Sequence, residues 1–229
     1  TGVIGEQIAF EKLLVALPML YEALSADAWQ SAAQGILTTD TRPKLASTSF
    51  TTANGSQANI SGFAKGSGMI RPNMATLLAY VFADAKIETP LLENFLDSAV
   101  NNSFNRITVD GDTSTNDCCM LVATGKGSLV ITDADSEAAR QFQSELNAVF
   151  EQLATDLIRD AEGASKFITI EVNEGASEQE CLAVAYTVAE SPLVKTAFFA
   201  SDPNWGRILA AIGRAGLSDL DIESVTVAL

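Results

Sequence analysis

The sequence contains no histidine, and this absence constrains its chemistry more than any other feature of its composition. Without histidine, no Ser-His-Asp or Cys-His catalytic group and no histidine-based metal site can form within these 229 residues. A hydroxyl nucleophile in this chain therefore needs another base, and a lysine or an α-amine can fill that role.

Cysteine and basic residues are also scarce. The three cysteines, Cys118, Cys119 and Cys181, form neither a disulfide framework nor a zinc-ligand spacing, so we expect a reducing, cytoplasmic location. With 14 basic and 29 acidic residues the net charge is −15, which argues against binding to nucleic acid or to an anionic membrane. No apolar run approaches the roughly 20 residues that a membrane span requires.

The apolar content of the chain is sufficient for a core. Hydrophobic residues make up 47% of the sequence, and the length predicts one or two domains. The chain begins at Thr1-Gly2, without methionine and within an ongoing pattern, which predicts a piece of a longer polypeptide. Helical and strand patterns alternate irregularly, which favours α/β or α+β layers.

Apolar residues recur at helical spacing in several segments. The longest of these, 135–161, carries one apolar stripe that we assign to the core. Thr89-Pro90 and Ser177 have the residue types of helix starts, the latter within a capping box. The predicted helices are 5–24 with a kink at Pro18, 26–36, 89–99, 135–161, 177–191 and a short helix after Asn204.

Alternating apolar residues predict strands elsewhere. Asn54-Gly55, between strands predicted at 44–52 and 57–63, is the strongest hairpin signal in the chain. A buried strand is predicted at 77–83. Further strands are predicted at 104–109, 120–124, 129–131, 166–172, 193–200 and 222–227.

The acidic loop 110–117 has some resemblance to a calcium-binding loop. An EF-hand loop needs glycine at its sixth position and glutamate at its twelfth, where this chain has Thr115 and Leu121. We therefore predict a hydrogen-bonded structural loop and no metal site.

The best candidate for catalysis follows a glycine-rich stretch and precedes the predicted strand 77–83. If the Ala75–Thr76 bond is cut, Thr76 gains a free α-amine beside its own hydroxyl. The reference pKa of an α-amine is roughly 7.7–8.0, so it can act as a base near neutrality. The same hydroxyl can cut the bond itself, by attacking the Ala75 carbonyl in an N-to-O acyl shift. The alternative interpretation of this stretch is a surface loop that leads into a core strand.

Five separated motifs, in a fixed order, carry a resemblance to a known family. They are Thr1-Gly2-Val3-Ile4-Gly5; Thr38-Thr39-Asp40-Thr41; Lys65-Gly66-Ser67-Gly68-Met69 with Pro72-Asn73-Met74-Ala75-Thr76; Ile107-Thr108-Val109-Asp110-Gly111-Asp112 with Ser114-Thr115-Asn116-Asp117; and Leu193-Val194-Lys195-Thr196-Ala197 with Asp202-Pro203-Asn204-Trp205-Gly206-Arg207. Together they resemble ornithine acetyltransferase, the bifunctional glutamate N-acetyltransferase family of arginine biosynthesis. The resemblance covers nearly the whole chain.

This resemblance implies an α/β layered sandwich, similar to that of N-terminal-nucleophile enzymes, in a precursor that cuts itself before a threonine. Residues 1–75 would be the C-terminal part of the α chain and residues 76–229 the N-terminal part of the β chain, joined at Ala75–Thr76. Both flanking ends of the precursor would be missing. The two chains would stay associated, as an α2β2 heterotetramer.

The resemblance also implies the site and the reaction. Thr76 would be the nucleophile and would itself contact substrate, while Thr1 and Gly2 would hold the oxyanion. The remaining substrate contacts map to Thr39, Lys65 and Glu162. The implied reaction is acetyl transfer from N-acetylornithine to glutamate through an acetyl-threonine intermediate, without a cofactor. Whether acetyl-CoA is also an acetyl donor stays open.

Two alternative functions remain open from the sequence. One is an N-terminal-threonine amidohydrolase or aminopeptidase, in which water replaces glutamate as the acceptor. The other is a non-catalytic binding protein that keeps the fold. Also open are the activity of this segment without its missing ends and any role of Asp202, Asn204 and Arg207 beyond capping and packing.

Overall fold

The computed structural model describes residues 5–71 and 77–229. Its chain contacts divide the protein into two compact units, residues 1–162 and 163–229. The predicted junction Ala75–Thr76 and the predicted oxyanion residues Thr1 and Gly2 lie outside the described residues. The division into α-chain and β-chain parts therefore stays a prediction.

A four-stranded sheet organises the first unit. The strands of the chain are β1 Lys44–Thr51, β2 Gln57–Lys65, β3 Leu78–Ala83, β4 Lys86–Ile87, β5 Cys118–Ala123 and β6 Val130–Ile131. The large sheet has the order β1-β2-β3-β5, with β3 antiparallel to β2 and parallel to β5. Strands β4 and β6 form a separate parallel pair, so β5 and β6, although they flank a glycine turn, belong to different sheets.

The predicted hairpin is confirmed. Strands β1 and β2 pair antiparallel from Lys44 opposite Ala64 to Thr51 opposite Gln57. Gly55 has a φ of 86°, a left-handed conformation that glycine adopts without the steric cost of a Cβ atom. The turn between the strands therefore depends on this glycine.

The predicted helices are also found, with ends that differ by a few residues. The helices of the described residues are α1 Phe10–Glu22, α2 Trp29–Gly35, α3 Thr89–Asn101, α4 Glu137–Arg159, α5 Glu178–Ala189, α6 Pro192–Phe199 and α7 Trp205–Gly213. Of these, α6 was not predicted. Within residues 5–71 and 77–229 no helix is long and apolar enough to cross a membrane.

Helices cover both faces of the large sheet. On one face α4 packs against β1 and β2, and the ring of Phe50 lies 6.5 Å from that of Phe142. On the other face the Trp29 ring of α2 meets Phe82 edge-on at 5.5 Å and Phe63 at 6.2 Å. This helix–sheet–helix arrangement is the layered α/β fold that the sequence predicted.

The apolar stripe of α4 forms the centre of the first core, as predicted. Phe142, Leu146, Phe150, Leu153 and Leu157 are all completely buried. Helix α4 begins at the N-cap Ser136, whose hydroxyl accepts the N–H of Ala139 at 3.1 Å.

Helix α1 forms with Pro18 inside it, but none of its residues is buried. Leu13, Leu17 and Leu20 are 51%, 54% and 60% exposed, so the apolar stripe of this helix is uncovered within the described part of the chain.

Two predicted strands are wrong because helical turns replace them. Residues 104–109 begin with a 3₁₀ turn, Phe104–Arg106, whose buried Phe104 ring packs 5.3 Å from that of Phe150. Residues 193–200 lie in α6, where Ser191 caps the helix and Pro192 occupies its first turn. A proline just inside a helix start fits because its missing N–H would have had no partner there.

Two other predicted strands, 166–172 and 222–227, are wrong because neither forms a ladder among the described residues, and Ile222–Ser224 is a 3₁₀ turn. Their alternating apolar residues nevertheless pack against the core of the second unit. That core is formed by α5, α6 and α7, through Val184, Val188, Val194, Ile208, Ala211 and Ile212. The alternation at Ile170 and Val172 and at Val225 and Val227 therefore reflects one-sided burial rather than strand pairing.

Candidate functional site

The three predicted substrate contacts that the structure describes come from separate parts of the first unit. Thr39 lies in the loop between α2 and β1, Lys65 is the last residue of β2, and Glu162 follows the end of α4. Thr39 and Glu162 are exposed, and Lys65 is half-buried. Lys65 is thus positioned by a strand end, and Thr39 and Glu162 by the loops that adjoin regular elements.

Ser67 joins these segments. Its hydroxyl shares a hydrogen bond of 2.5 Å with the hydroxyl of Thr39, and its carbonyl accepts the N–H of Glu162 at 2.7 Å. Ser67 is only 2% exposed and lies two residues after Lys65. The structure therefore brings the loops of Thr39, Lys65 and Glu162 together, and Ser67 is a site residue to which the sequence had assigned no role.

The turn after Ser67 lies directly beside the Glu162 carboxylate. A Cβ atom at position 68 would lie 3.1 Å from Oε2 of Glu162, so Gly68 leaves the space that this carboxylate occupies. The carboxylate of Asp110 accepts the N–H groups of Met69 at 2.6 Å and Ile70 at 3.0 Å. Asp110 thereby fixes the turn, in which Met69 has a left-handed φ of 53°.

The loop 110–117 is the hydrogen-bonded loop that the sequence predicted. Asp110 also accepts the N–H of Asp112 at 3.0 Å, and the Thr113 hydroxyl donates to the carbonyl of Arg71 at 3.1 Å. Among the described residues, no group of acidic or cysteine side chains is arranged to hold a metal ion.

A buried group of charges lies beneath the exposed contacts. Nζ of Lys44 is 2.5 Å from Oδ1 of Asp40 and 2.5 Å from Oδ2 of Asp160. The side chains are 0%, 0% and 5% exposed, respectively. We call these three residues the Lys44 cluster.

Both carboxyls of the Lys44 cluster are held ionised. Burial opposes ionisation of Asp40, but hydrogen bonds from Lys44 and from the N–H of Gly66 outweigh it and lower the pKa of Asp40 below its usual value. Burial also opposes ionisation of Asp160, and hydrogen bonds from Lys44 and Thr41 lower its pKa in the same way. Both carboxylates of the cluster are therefore negatively charged at neutral pH.

The sheet aligns Lys65 with the strand that follows the predicted nucleophile. Lys65 lies opposite Leu78 on β3, and Leu78 lies opposite Cys118 on β5. Thr76 precedes Leu78 by two positions in the sequence, and Asp117 immediately precedes Cys118. Lys65, Leu78 and Cys118 thus lie side by side on three neighbouring strands. Asp117 and the segment before β3 adjoin this row in the sequence.

Asp117 has an unusual environment. Its Oδ2 atom is buried and has no hydrogen-bond partner among residues 5–71 and 77–229. Burial raises the pKa of Asp117 to about 6, although the Ser114 hydroxyl, the N–H of Leu77 and the charge of Lys65 all act in the opposite direction. The sequence signal is an aspartate directly before an apolar strand, and the sequence patterns assign it no role beyond its motif.

The motifs of the second unit are joined by Arg207. Its guanidinium donates to the carbonyl of Leu193 at 2.9 Å and to the hydroxyl of Thr196 at 3.1 Å. Asn204 caps α7 by accepting the N–H of Arg207 at 3.2 Å, and its amide donates to Asp202 at 3.0 Å. These contacts agree with the predicted capping and packing.

The chain is similar in sequence to curated proteins named arginine biosynthesis bifunctional protein ArgJ. The relative from Pseudomonas fluorescens (strain Pf0-1) is 54% identical over 230 residues, which cover 100% of this chain and 56% of the relative. The relative from Methylococcus capsulatus (strain Bath) is 56% identical over 227 residues, covering 99% of this chain and 55% of the relative. The chain therefore spans little more than half the length of these relatives.

The fold is similar to that of a solved relative. The crystal structure of arginine biosynthesis bifunctional protein ArgJ from Bacillus halodurans matches with a TM-score of 0.55 and 43% identity, over 58% of this chain and 62% of that chain. The model of the ArgJ family matches residues 1–229, which is the full length of the sequence. The chain therefore belongs to the ArgJ family.

Proposed function

We propose that this chain, within its complete protein, transfers an acetyl group from N-acetylornithine to glutamate through an acetyl-Thr76 intermediate. The observation that carries this proposal is the identity of 54–56% to ArgJ proteins over essentially the whole chain. The convergence of the segments of Thr39, Lys65 and Glu162 on Ser67 supports it, because residues distant in sequence meet at one surface.

The proposed sequence begins with self-cleavage. The hydroxyl oxygen of Thr76 attacks the carbonyl carbon of Ala75, the peptide C–N bond breaks, and water hydrolyses the resulting ester. Ala75 is left with a carboxylate and Thr76 with a free α-amine. That amine supplies the base that the absence of histidine otherwise denies this chain.

Acetyl transfer then follows in two steps. The Thr76 hydroxyl attacks the acetyl carbonyl carbon of N-acetylornithine while its α-amine takes the proton. The Thr1 hydroxyl and the Gly2 N–H stabilise the oxyanion, and the amide C–N bond breaks to release ornithine, whose amine regains the proton. The α-amine of glutamate then attacks the acetyl ester, which forms N-acetylglutamate and restores the hydroxyl. Removing one oxyanion donor typically costs on the order of 10²–10³ in rate.

Substrate recognition in this proposal uses charge. Lys65 pairs with a substrate carboxylate, and Glu162 pairs with the side-chain ammonium of ornithine. The 3.1 Å separation between Glu162 and the Cβ position of Gly68 supports this assignment, since the carboxylate faces the surface of the turn that follows Lys65. Thr39 contributes a hydroxyl beside Ser67.

The proposal includes an assembly and a location. The α and β chains stay together after cleavage, as an α2β2 heterotetramer in the cytoplasm. The alternative acceptor, water, and the second donor, acetyl-CoA, are separated by assay: N-acetylglutamate formation is measured against free acetate, first with N-acetylornithine and then with acetyl-CoA.

The test uses the full-length precursor. Mass spectrometry should find a chain that begins at Thr76 and, after brief incubation with N-acetylornithine, an acetyl group on Thr76. Thr76→Ala should remain uncut and lose acetyl transfer. Full activity of Thr76→Ala, or release of acetate without N-acetylglutamate, would contradict the proposal.

A further inference from the structure

We infer that the Lys44 cluster is a positioning device for the substrate pocket, which fixes the segments of Thr39, Lys65 and Glu162 relative to one another. The inference rests on the proposed function, which assigns substrate contacts to those three residues. The cluster itself is buried and acts through them.

The Lys44 cluster lies at a place in the fold where burying charged groups costs free energy. Lys44 lies on the face of β1 that α4 covers, in phase with Phe50, and Asp160 is the C-cap residue directly after α4, three residues beyond the buried Leu157. Lys44 therefore occupies a core position where an apolar residue would be expected, and Asp160 is buried beside it. Replacement of a buried ion pair by apolar residues is often neutral or stabilising, so stability alone does not account for three charges at this place.

Each member of the cluster holds a segment of the site. Asp40, adjacent to Thr39, accepts the N–H of Gly66 at 2.7 Å. Lys44 donates to the carbonyl of Gly66 at 3.5 Å, so both groups hold the residue next to Lys65.

Asp160 extends the same connection to α4. Its Oδ2 accepts the N–H of Thr41 at 3.0 Å, and its Oδ1 accepts the Thr41 hydroxyl. Asp160 precedes Glu162 by two residues, and the N–H of Glu162 bonds to Ser67. The loop 38–41, the turn 66–68 and the end of α4 are thus joined twice, once through the buried Ser67 and once through the Lys44 cluster.

Because the three segments contact one another both through Ser67 and through the Lys44 cluster, neither their separation nor their relative orientation can change freely. If the connection through the Lys44 cluster is broken, the segments can rotate about the contacts of Ser67. The exposed side chains of Thr39 and Glu162 then lose their fixed separation. A displacement of about 1 Å in groups that orient a substrate can cost on the order of 10²-fold in kcat/KM. We therefore expect the loss mainly in KM.

The chain offers a matched control for this effect. Arg42, which precedes β1, forms an ion pair of 3.5 Å with Asp156 of α4. Asp156 lies one helical turn before Asp160. The side chains of Arg42 and Asp156 are 51% and 19% exposed. Asp156→Asn therefore removes a charge from the same helix without breaking a contact to the turn 66–68.

The test compares Asp160→Asn with Asp156→Asn in the processed full-length protein. In Asp160→Asn we expect KM for both N-acetylornithine and glutamate to rise about tenfold or more, with kcat changed much less, and Asp156→Asn should keep the wild-type values. If Asp160→Asn does not fold, Asp40→Asn serves as the second variant. A core variant, Val149→Ala, supplies a loss of stability without a change in the cluster.

Amide hydrogen exchange supplies a readout that does not depend on activity. In Asp160→Asn, exchange should accelerate in peptides covering 38–41 and 66–68 as well as 160–162, whereas in Val149→Ala and Asp156→Asn these three segments should not respond together. Unchanged KM, or faster exchange confined to 160–162, would overturn the inference. A wild-type protein without acetyl transfer would instead contradict the proposed function, and the exchange data would still decide the positioning role.

Discussion

The fold changes the pKa values of individual carboxyl groups in this protein. Asp117 is the case with a consequence for pH, because one of its carboxylate oxygens is buried and lacks a hydrogen-bond partner among the described residues. Its pKa is about 6, against an ordinary value of 3.8. The folded state therefore binds a proton more tightly than the unfolded chain does, and stability falls as pH rises from about 4 through about 6.

Replacement of Asp117 by asparagine should remove this penalty. We expect Asp117→Asn to raise the free energy of unfolding at pH 7.5 by about 1–3 kcal/mol, since each pKa unit corresponds to about 1.4 kcal/mol and partial exposure weakens the effect. At pH 4 the two proteins should unfold at nearly the same temperature. Calorimetry at both pH values measures the difference, with exposed Asp112→Asn as the control. A lower melting temperature of Asp117→Asn at pH 7.5 would show that the carboxylate has a stabilising partner.

Residue types alone did not reveal the residues that organise the site. Lys44 lies on the core face of β1, so its phase with Phe50 was a signal that the sequence contained, whereas Asp160 is the cap residue after α4 and has no such phase. Their mutual contact spans 116 positions in the sequence and depends on how α4 packs against β1.

At the scale of elements, the turn that follows β2 is the most constrained part of the candidate site. Asp110 accepts the N–H groups of Met69 and Ile70. The Ser67 carbonyl accepts the N–H of Glu162, and Gly68 leaves room for the Glu162 carboxylate. Gly68 does not have a left-handed φ, so alanine is compatible with its backbone. A substitution here should therefore affect the position of Glu162 more than stability.

We predict that Gly68→Ala displaces the Glu162 carboxylate, because its Cβ would lie 3.1 Å from Oε2. With the loss of one exposed ionic contact, KM for N-acetylornithine should rise about two- to fivefold. Steady-state kinetics and the melting temperature are measured together. Gly213→Ala is the control, because no atom lies within 4 Å of its Cβ position. An unchanged KM would count against the assignment of Glu162 to the ornithine ammonium.

Sequence patterns predicted the helices and strands correctly where a local pattern is typical of only one structure. Asn54-Gly55 specified the hairpin, and the stripe of α4 specified a core helix. At Ser191-Pro192 the same proline both follows α5 and begins α6, and we had interpreted it only as the end of a helix. The β-branched and aromatic residues of 193–200 then favoured a strand, but the cap and the proline set a helix.

Across the whole molecule, the fold shifts the pKa values of particular carboxyl groups among the many acidic residues. Asp40 and Asp160 have lowered pKa values, so they contribute stability above their ordinary value of 3.8, and this contribution is lost as pH falls through the lowered values. Asp117 acts in the opposite direction between about pH 4 and 6. Acid stability below pH 4 should therefore depend mainly on the Lys44 cluster.

We expect the melting temperature of the wild-type protein to fall steeply below about pH 4, and that of Asp160→Asn to fall less steeply from a lower starting value. The reason is that the variant has one carboxylate fewer to protonate on unfolding at acid pH. Thermal unfolding between pH 3 and 6 measures the slopes, and Asp156→Asn, which lies outside the cluster, should keep the wild-type slope. Equal slopes for wild type and Asp160→Asn would contradict this account.

The sequence by itself predicted a threonine nucleophile that acts without histidine, and it determined the family to which this chain belongs. The absence of histidine and the ordered motifs are properties of the chain, and neither depends on packing. Local patterns also set the helices and the hairpin, because caps, glycine turns and apolar periodicity act over a few residues. Only the tertiary structure decided which segments meet: strand pairing aligned Lys65 with Leu78, and the packing of α4 on β1 brought Asp160 to Lys44. Such contacts join residues far apart in the chain, so no local pattern specifies them.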